Sequence, residues 1–289
     1  MIKKLYIHGG GFHADDVFCD AVLRVINGDL ITERVITTDI DLTDIEHGII
    51  MADIGGGEFD HHQKDAPLRE DGIRHCAVTR LWKKYGSDCI RAVAHDVSDE
   101  TVSAVSDRIY NGILKEIAAL DNGEDGVLPN GITNICDLID RFYPAWDSDE
   151  DPDTAFADAA VFAHGVLVRE IKHAVSDHKA EKLVREAVQK MDNGIIILDQ
   201  YLPWEHIVVQ DPDAKIVIYP SARKEINLRL VPVEEGSFTT RLDVPDAWKG
   251  KRNAAADACM HGMVFCHPTG FLMAFDDFEN ALSAAHSLV

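Results

Sequence analysis

Two short apolar runs near the N-terminus end the same way, in an ionisable residue followed by glycines. Leu5-Tyr-Ile7 leads into His8-Gly-Gly-Gly11, and Ile49-Ile-Met-Ala52 leads into Asp53-Ile-Gly-Gly-Gly57. Short continuous apolar runs bounded by turn residues read as buried strands. The glycines let the backbone turn sharply at the strand ends and come close to a charged group. Elsewhere the apolar spacing is helical. Val17, Ala21, Val22 and Val25 recur at helical intervals up to Ile26, and Val102, Val105, Ile109, Ile113 and Ile117 predict one amphipathic helix. Strands alternating with helices imply an α/β fold built on a mainly parallel sheet flanked by helices.

The run Asp147-Ser-Asp-Glu-Asp-Pro-Asp153 is too charged to bury and reads as an exposed turn. A helix is expected from about Thr154 to Met191, with its apolar stripe through Phe156, Ala160, Ala163, Leu167, Ile171 and Val175. Asp192-Asn-Gly194 would close it, glycine serving as a left-handed cap. Strand-like runs come next at Ile195–Leu198, Lys215–Tyr219, Ile226–Leu230 and Met263–Phe265, with a last helix near Asn280–Ser287. This implies a catalytic domain over 1–145, an acidic turn and helical connector over 146–191, and a smaller α/β domain over 192–289. At 46% hydrophobic and 27% charged residues, the chain is not a disordered one.

The balance of charge narrows the partners. With 28 Lys and Arg against 50 Asp and Glu, the net charge is −22, which excludes non-specific coating of long duplex nucleic acid and favours multivalent cations. Six cysteines without a CxxC pair read as free thiols, and no run has the length of a signal peptide or a membrane span. A cytoplasmic protein is expected.

Four segments carry the chemistry. His8, His13 and Asp15 can converge at the carboxyl end of the first strand, where ligands of open α/β sheets bind. Alternatively the glycines only make a turn, and His13 and Asp15 only cap the next helix. Asp53 ends the second strand, where Asp also serves as a plain turn former. Asp60-His61-His62 comes shortly after; in a strand, adjacent rings point to opposite sides, so one can bind a metal while the other faces something else. Asp121-Asn-Gly123 ends the amphipathic helix and is equally a good C-terminal cap. Imidazole and carboxylate donors without thiolate suit Mn²⁺, Fe²⁺, Co²⁺ or Zn²⁺ better than Ca²⁺. Six such donors exceed the needs of one ion, and a shared carboxylate implies two ions close together, the arrangement used in phosphoryl hydrolysis.

These segments resemble the signature motifs of the DHH phosphoesterase superfamily, named for the triplet at Asp60-His61-His62. Within it the chain is most similar to the Myg1 family, predicted metal-dependent hydrolases. The family's His-x-Gly-x-Phe-His-x-Asp opening is matched from His8 to Asp15, its Asp-x-Gly-Gly from Asp53, its Phe-Asp-His-His-Gln from Phe59 to Gln63, and its Asp-Asn-Gly at Asp121. Leu202-Pro-Trp204, Tyr219-Pro-Ser221 and His267-Pro-Thr-Gly-Phe271 resemble its later landmarks. The resemblance implies that His8, His13, Asp53 and Asp121 hold one metal and that Asp15, Asp53 and His61 hold a second, with Asp53 bridging. It places His62 against the substrate phosphate and Asp60 behind it as an orienting group.

The implied activity is hydrolysis of phosphodiester bonds by metal-activated water, first as a 3′–5′ exonuclease on short single-stranded RNA or oligonucleotides. The alternatives are a phosphatase or phosphodiesterase of a small phosphorylated metabolite or nucleotide, and a non-catalytic metal- or phosphate-binding regulator. Two divalent ions are expected, Mn²⁺ first, with Mg²⁺, Co²⁺, Fe²⁺ or Zn²⁺ as alternatives. A homo-oligomer is compatible with the sequence, and a membrane partner is not expected. In the C-terminal part, His267, Gly270 and Arg252 are expected to hold a non-reacting phosphate, although His267 also reads as a plain turn histidine. Arg223, Lys224, Lys249 and Lys251 are further basic residues in an acidic chain. Two departures from the family pattern stand out: His75-Cys76, where small hydroxyl residues are usual, and Leu272-Met-Ala274, where Ile-Gly-Gly is usual.

Overall fold

A computed structural model of the chain describes residues 2–35, 48–64, 66–124 and 133–289. It is a mixed α/β structure in two compact units, Met1–Val175 and Ser176–Val289. In the first unit, β1 (Lys4–His8) lies between β2 (Ile31–Val35) and β3 (Ile49–Met51), and both pairings are parallel. Leu5 and Ile7 of β1 are wholly buried. Between β1 and β2 runs α1 (Ala14–Ile26), which buries Val17, Phe18, Ala21, Val22 and Leu23. It packs along α2 (Ala77–Val93), whose Leu81, Trp82, Cys89 and Ile90 face the same core. Each such large side chain contributes roughly 1.5–3 kcal/mol on burial.

The single helix expected through Val102 and Ile117 is two: α3 (Asp99–Asn111) and α4 (Ile113–Asp121). They are divided at Gly112, whose φ −98° and ψ −113° are not helical and whose N–H still bonds to the Arg108 carbonyl at 2.9 Å. The apolar spacing survives the break, so both pieces bury the same side. After α5 (Ile135–Asp140) comes the long helix α6 (Pro152–Gln189), started by Asp151, which accepts the Thr154 N–H at 3.1 Å. Phe156, Ala160, Ala163, Leu167, Ile171 and Val175 of α6 belong to the first core, whereas Val184 belongs to a cluster of the second unit. The division between the units therefore falls inside this helix and not at its two ends.

The second unit contains β4 (Ile195–Ile197), α7 (Glu205–Val208), β5 (Ile216–Pro220), β6 (Ile226–Leu230), α8 (Ala254–Asp257), β7 (Met263–Cys266), β8 (Leu272–Phe275) and α9 (Phe278–Leu288). The strand order is β4-β5-β6-β8-β7; β4 and β5 are parallel and the remaining pairs antiparallel. Ala281, Ala284 and Ala285 of α9 share a core with Leu228, Leu230, Met273 and Phe275. Asn193-Gly194 does not cap α6 as expected. Both residues have positive φ, 50° and 83°, and Asp192 and Ile195 exchange backbone bonds of 3.1 and 2.8 Å across them. That is the two-residue turn for which Asn-Gly is the preferred pair. No helix among the described residues is long and apolar enough to cross a membrane.

Candidate metal centre

The carboxyl ends of β1 and β3 lie side by side because the two strands are parallel neighbours. His8 closes β1, and Asp53 stands just beyond β3. The Asp53 N–H bonds to the Phe59 carbonyl at 3.0 Å, which pins the glycine loop and holds Asp53 at φ 60°. Such a conformation is costly for a residue other than glycine and concentrates at functional sites. His13 precedes α1, its ring stacked 5.0 Å from that of His8. The first turn of α1 adds Asp15 and Asp16, both buried.

His8, His13, Asp16 and Asp53 each offer one donor atom, all within 4.8 Å of one another. On the other side of Asp53, its Oδ1 lies 2.8 Å from His61 Nε2, which is 3.2 Å from Asp121 and 4.0 Å from Asp15. Asp121 is presented by the end of α4, where the Gly123 and Glu124 N–H groups bond back to Leu120 and Ala119 at 3.1 and 2.8 Å. This is a Schellman cap, with Gly123 at φ 65°. The capping role and the placement of Asp121 in the cluster are thus the same fact.

The grouping differs from the expected one in two respects. Asp121 stands with Asp15 and His61, and the fourth member beside His8, His13 and Asp53 is Asp16. Neighbours on a helix point about 100° apart. Asp15 turns toward α2 and accepts the Ala77 and Val78 N–H groups at 2.9 and 2.6 Å, leaving Asp16 to face His8 at 3.4 Å. The histidine pair also differs from expectation: His61 and His62 lie outside any strand, with rings 4.5 Å apart. Asp60 causes this. It accepts the His62 N–H at 3.0 Å, meets His62 Nδ1 at 2.9 Å, and takes the Gly56 N–H at 2.6 Å. Burial alone would raise the Asp60 carboxyl, but these donors hold it below the usual range. His62 is 64% exposed, whereas His61 is 7% exposed.

Among the described residues, His8 Nδ1, both oxygens of Asp16 and Oδ1 of Asp53 are buried without a hydrogen-bond partner of good geometry. Buried polar atoms are rarely left so, and these four aim at one place. The electrostatics agree. Burial, then the nearby Asp53, raises Asp15 to about 7; burial, then Asp15 and Asp53, raises Asp121 to about 7; burial and Asp53 push Asp16 well above the carboxylate range. His61 is raised to about 9 because Asp53, Asp15 and Asp121 outweigh the opposing effect of its burial. A set of imidazole and carboxylate donors crowded this way fits divalent cations. An open depression of about 370 Å³, lined by Phe12, His13, Asp15, Asp121 and Asp137 among others, leads to the cluster.

Two participants escaped the sequence. Asp16 was hidden beside Asp15, and its only signal was the acidic doublet at a helix start. Arg34, at the end of β2, lies over the rings of Phe12 and Phe156 at 4.7 and 5.2 Å, donates to the Gly10 carbonyl at 2.5 Å and pairs with Asp153 at 3.0 Å. It braces the glycine turn after His8.

In the second unit, His267 Nδ1 meets the Thr269 hydroxyl at 2.8 Å and its ring lies 4.5 Å from Phe271. Gly270 has φ 81°, and a Cβ there would come within 2.6 Å of Val244 Cγ2, so the turn itself requires glycine. Arg252 is exposed and lies 4.8 Å over the Phe265 ring.

Comparison with known proteins agrees with the motifs. The MYG1_exonuc family model, described as "Uncharacterised protein family (UPF0160)", matches residues 4–289. The chain belongs to this family. It is 28% identical to a MYG1 protein of Schizosaccharomyces pombe, over 98% of this chain and 96% of that one. It is 26% identical to the Homo sapiens MYG1 exonuclease and 25% identical to that of Rattus norvegicus, over 98% of this chain and 85% and 84% of theirs. Among solved structures, a pGpG-specific phosphodiesterase from Vibrio cholerae aligns over 99% of this chain and 97% of its own at 14% identity, with a TM-score of 0.32, too slight a likeness to argue from.

Proposed function

From this family membership and the geometry of the cluster, we propose that the chain is a divalent-metal-dependent phosphoesterase of the DHH type, acting as a 3′–5′ exonuclease on short single-stranded RNA or oligonucleotides. The observation that carries the reading is the convergence of four buried donor atoms that lack a hydrogen-bond partner of good geometry, from His8, Asp16 and Asp53, at the ends of two parallel strands. Relatives named exonucleases, 26% and 25% identical over nearly the whole chain, support an exonuclease reading. His8, His13, Asp16 and Asp53 would hold one ion, and Asp15, Asp53, His61 and Asp121 the other, Mn²⁺ being the first candidate. Bound there, such ions lower the pKa of water and offset charge on a phosphate. Asp53 serves both positions from its fixed backbone. Asp60 holds His62 by Nδ1, so that Nε2 is turned outward to donate to a phosphate oxygen. Within the second unit, His267 and Arg252 would hold a phosphate.

The test is an assay of chelator-stripped protein, with and without Mn²⁺, against 5′-labelled short RNA, dinucleotides, mononucleotides and polyphosphate. Mn²⁺-dependent shortening of the RNA from its 3′ end is expected, lost in both Asp53→Asn and His62→Asn, with metal content kept only in the latter. Turnover confined to mononucleotides would replace the exonuclease with a small-nucleotide phosphatase.

A further inference from the structure

One member of the cluster is unlike the rest. Cys76, wholly buried at the start of α2, has its Sγ in a group with one oxygen each of Asp15 and Asp121, all within 4.8 Å of one another. Asp121 in turn is 3.2 Å from His61 Nε2. Three other thiols donate to backbone carbonyls: Cys89 to Val22 at 3.2 Å, Cys259 to Ala247 at 3.3 Å, Cys266 to His267 at 3.5 Å. The Cys76 sulfur faces carboxylates, and it also accepts the Thr79 N–H in a capping box at the start of α2. The beginning of α2 fixes it there: its own N–H bonds to Thr79 Oγ1 at 3.0 Å, and the next two N–H groups hold Asp15. The neighbouring Asp53 Oδ1, 2.8 Å from His61 Nε2, is buried and has no hydrogen-bond partner of good geometry, which points independently to a ligand on this side.

We propose that Cys76 is a thiolate donor to the cation held by Asp15, His61 and Asp121. The proposal rests on the metal-dependent reading above and refines it. Carboxylates and imidazole alone discriminate poorly among divalent ions, whereas a thiolate selects softer ones. The centre is then asymmetric: an all-nitrogen-and-oxygen position at His8, His13, Asp16 and Asp53 that accepts Mn²⁺ or Mg²⁺, and a position with one sulfur that prefers Zn²⁺ or Co²⁺. As the sulfur takes up the cation its S–H bond breaks and the proton leaves to solvent, with no change of oxidation state.

The experiment is a Co²⁺ titration of the full-length, chelator-stripped protein, followed in the near ultraviolet for thiolate-to-cobalt charge transfer. The band is expected in the wild type and in Cys89→Ser, and is absent in Cys76→Ser. After dialysis against equal Zn²⁺ and Mn²⁺, the bound Zn-to-Mn ratio of Cys76→Ser should fall by about tenfold or more. A second measurement needs no variant: X-ray absorption of the Zn²⁺-loaded wild type should show one sulfur at about 2.3 Å from the metal. Stoichiometric Co²⁺ binding without the band, a band that persists in Cys76→Ser, or a Zn²⁺ shell of nitrogen and oxygen alone overturns the proposal and leaves the phosphoesterase reading standing if Mn²⁺-dependent turnover remains. No cation binding and no cation-dependent turnover overturns both.

Discussion

Asp15 and Asp16 are chemically identical neighbours with different environments. Asp15 spends both oxygens on the first N–H groups of α2, a link between segments 62 residues apart in the chain. Asp16 has no hydrogen-bond partner of good geometry and sits among like charges. In chelated protein, Asp15→Asn should therefore cost about 1–3 kcal/mol, the loss of a charge-assisted bond to a buried donor. Asp16→Asn should leave the stability of the chelated protein unchanged or raised, while removing much of the gain in melting temperature on adding Mn²⁺. Urea unfolding with and without chelator reads both, and equal losses in the chelated variants would contradict the division. The sequence showed that histidines and acids gather at strand ends, because motif spacing is a property of the chain. It did not show which of two adjacent carboxylates faces inward, since that depends on where α2 begins. That start was hidden: Cys76 occupies the cap position where Ser, Thr, Asp or Asn would have signalled it.

At the scale of elements, apolar runs located β1, β3, β4, β5, β6 and β7, whose buried residues make them conspicuous. β2 went unseen because Ile31-Thr-Glu-Arg-Val35 is largely exposed on an outer position of its sheet, and its side chains carry no burial pattern. β8 went unseen because Leu272-Met-Ala-Phe275 comes so soon after the His267–Phe271 turn that it merges with that motif. Helical periodicity could not find the break at Gly112, since α3 and α4 continue the same spacing. The Asn193-Gly194 turn shows how local chemistry depends on the downstream chain: the same residues end a helix or join a strand. Its steric demand is measurable. A Cβ on Gly194 would stand 2.7 Å from the Asp213 carbonyl oxygen, at φ 83°. Gly194→Ala should thus destabilise the protein by more than about 1 kcal/mol, whereas Asn193→Gly should change it by only a few tenths. A denaturant midpoint for Gly194→Ala equal to that of the wild type would mean that Asp213 is free to withdraw.

For the whole molecule, the pattern of charge couples stability, pH and cation. The net charge is negative above the pI of about 4.9 and reaches −22 at pH 7, so the self-repulsion that disfavours the compact state grows as pH rises. Within that field Asp15 and Asp16 are buried, with the half-buried Asp121 beside them. Asp15 and Asp121 are raised from 3.8 to about 7, so between those values the folded chain holds protons that the unfolded chain has released. Stability then falls as pH rises through the window, because the folded state binds more protons. His61 acts with the same sign: raised from 6.5 to about 9 by its carboxylate neighbours against its burial, it stabilises below 6.5 and loses that contribution as pH climbs toward 9. Divalent cations reverse the logic, since they bind carboxylates without protons and neutral imidazole, and their affinity grows with pH. The melting temperature of chelated protein should consequently decline steadily from about pH 5 to about pH 8, and that of Mn²⁺-saturated protein should stay level or rise. The general repulsion of a −22 chain acts on both curves, so their difference isolates the cluster. Asp121→Asn, which removes one charge of the set, should bring the two curves closer together. Curves that run parallel at every pH would show that the buried acids take up no cation.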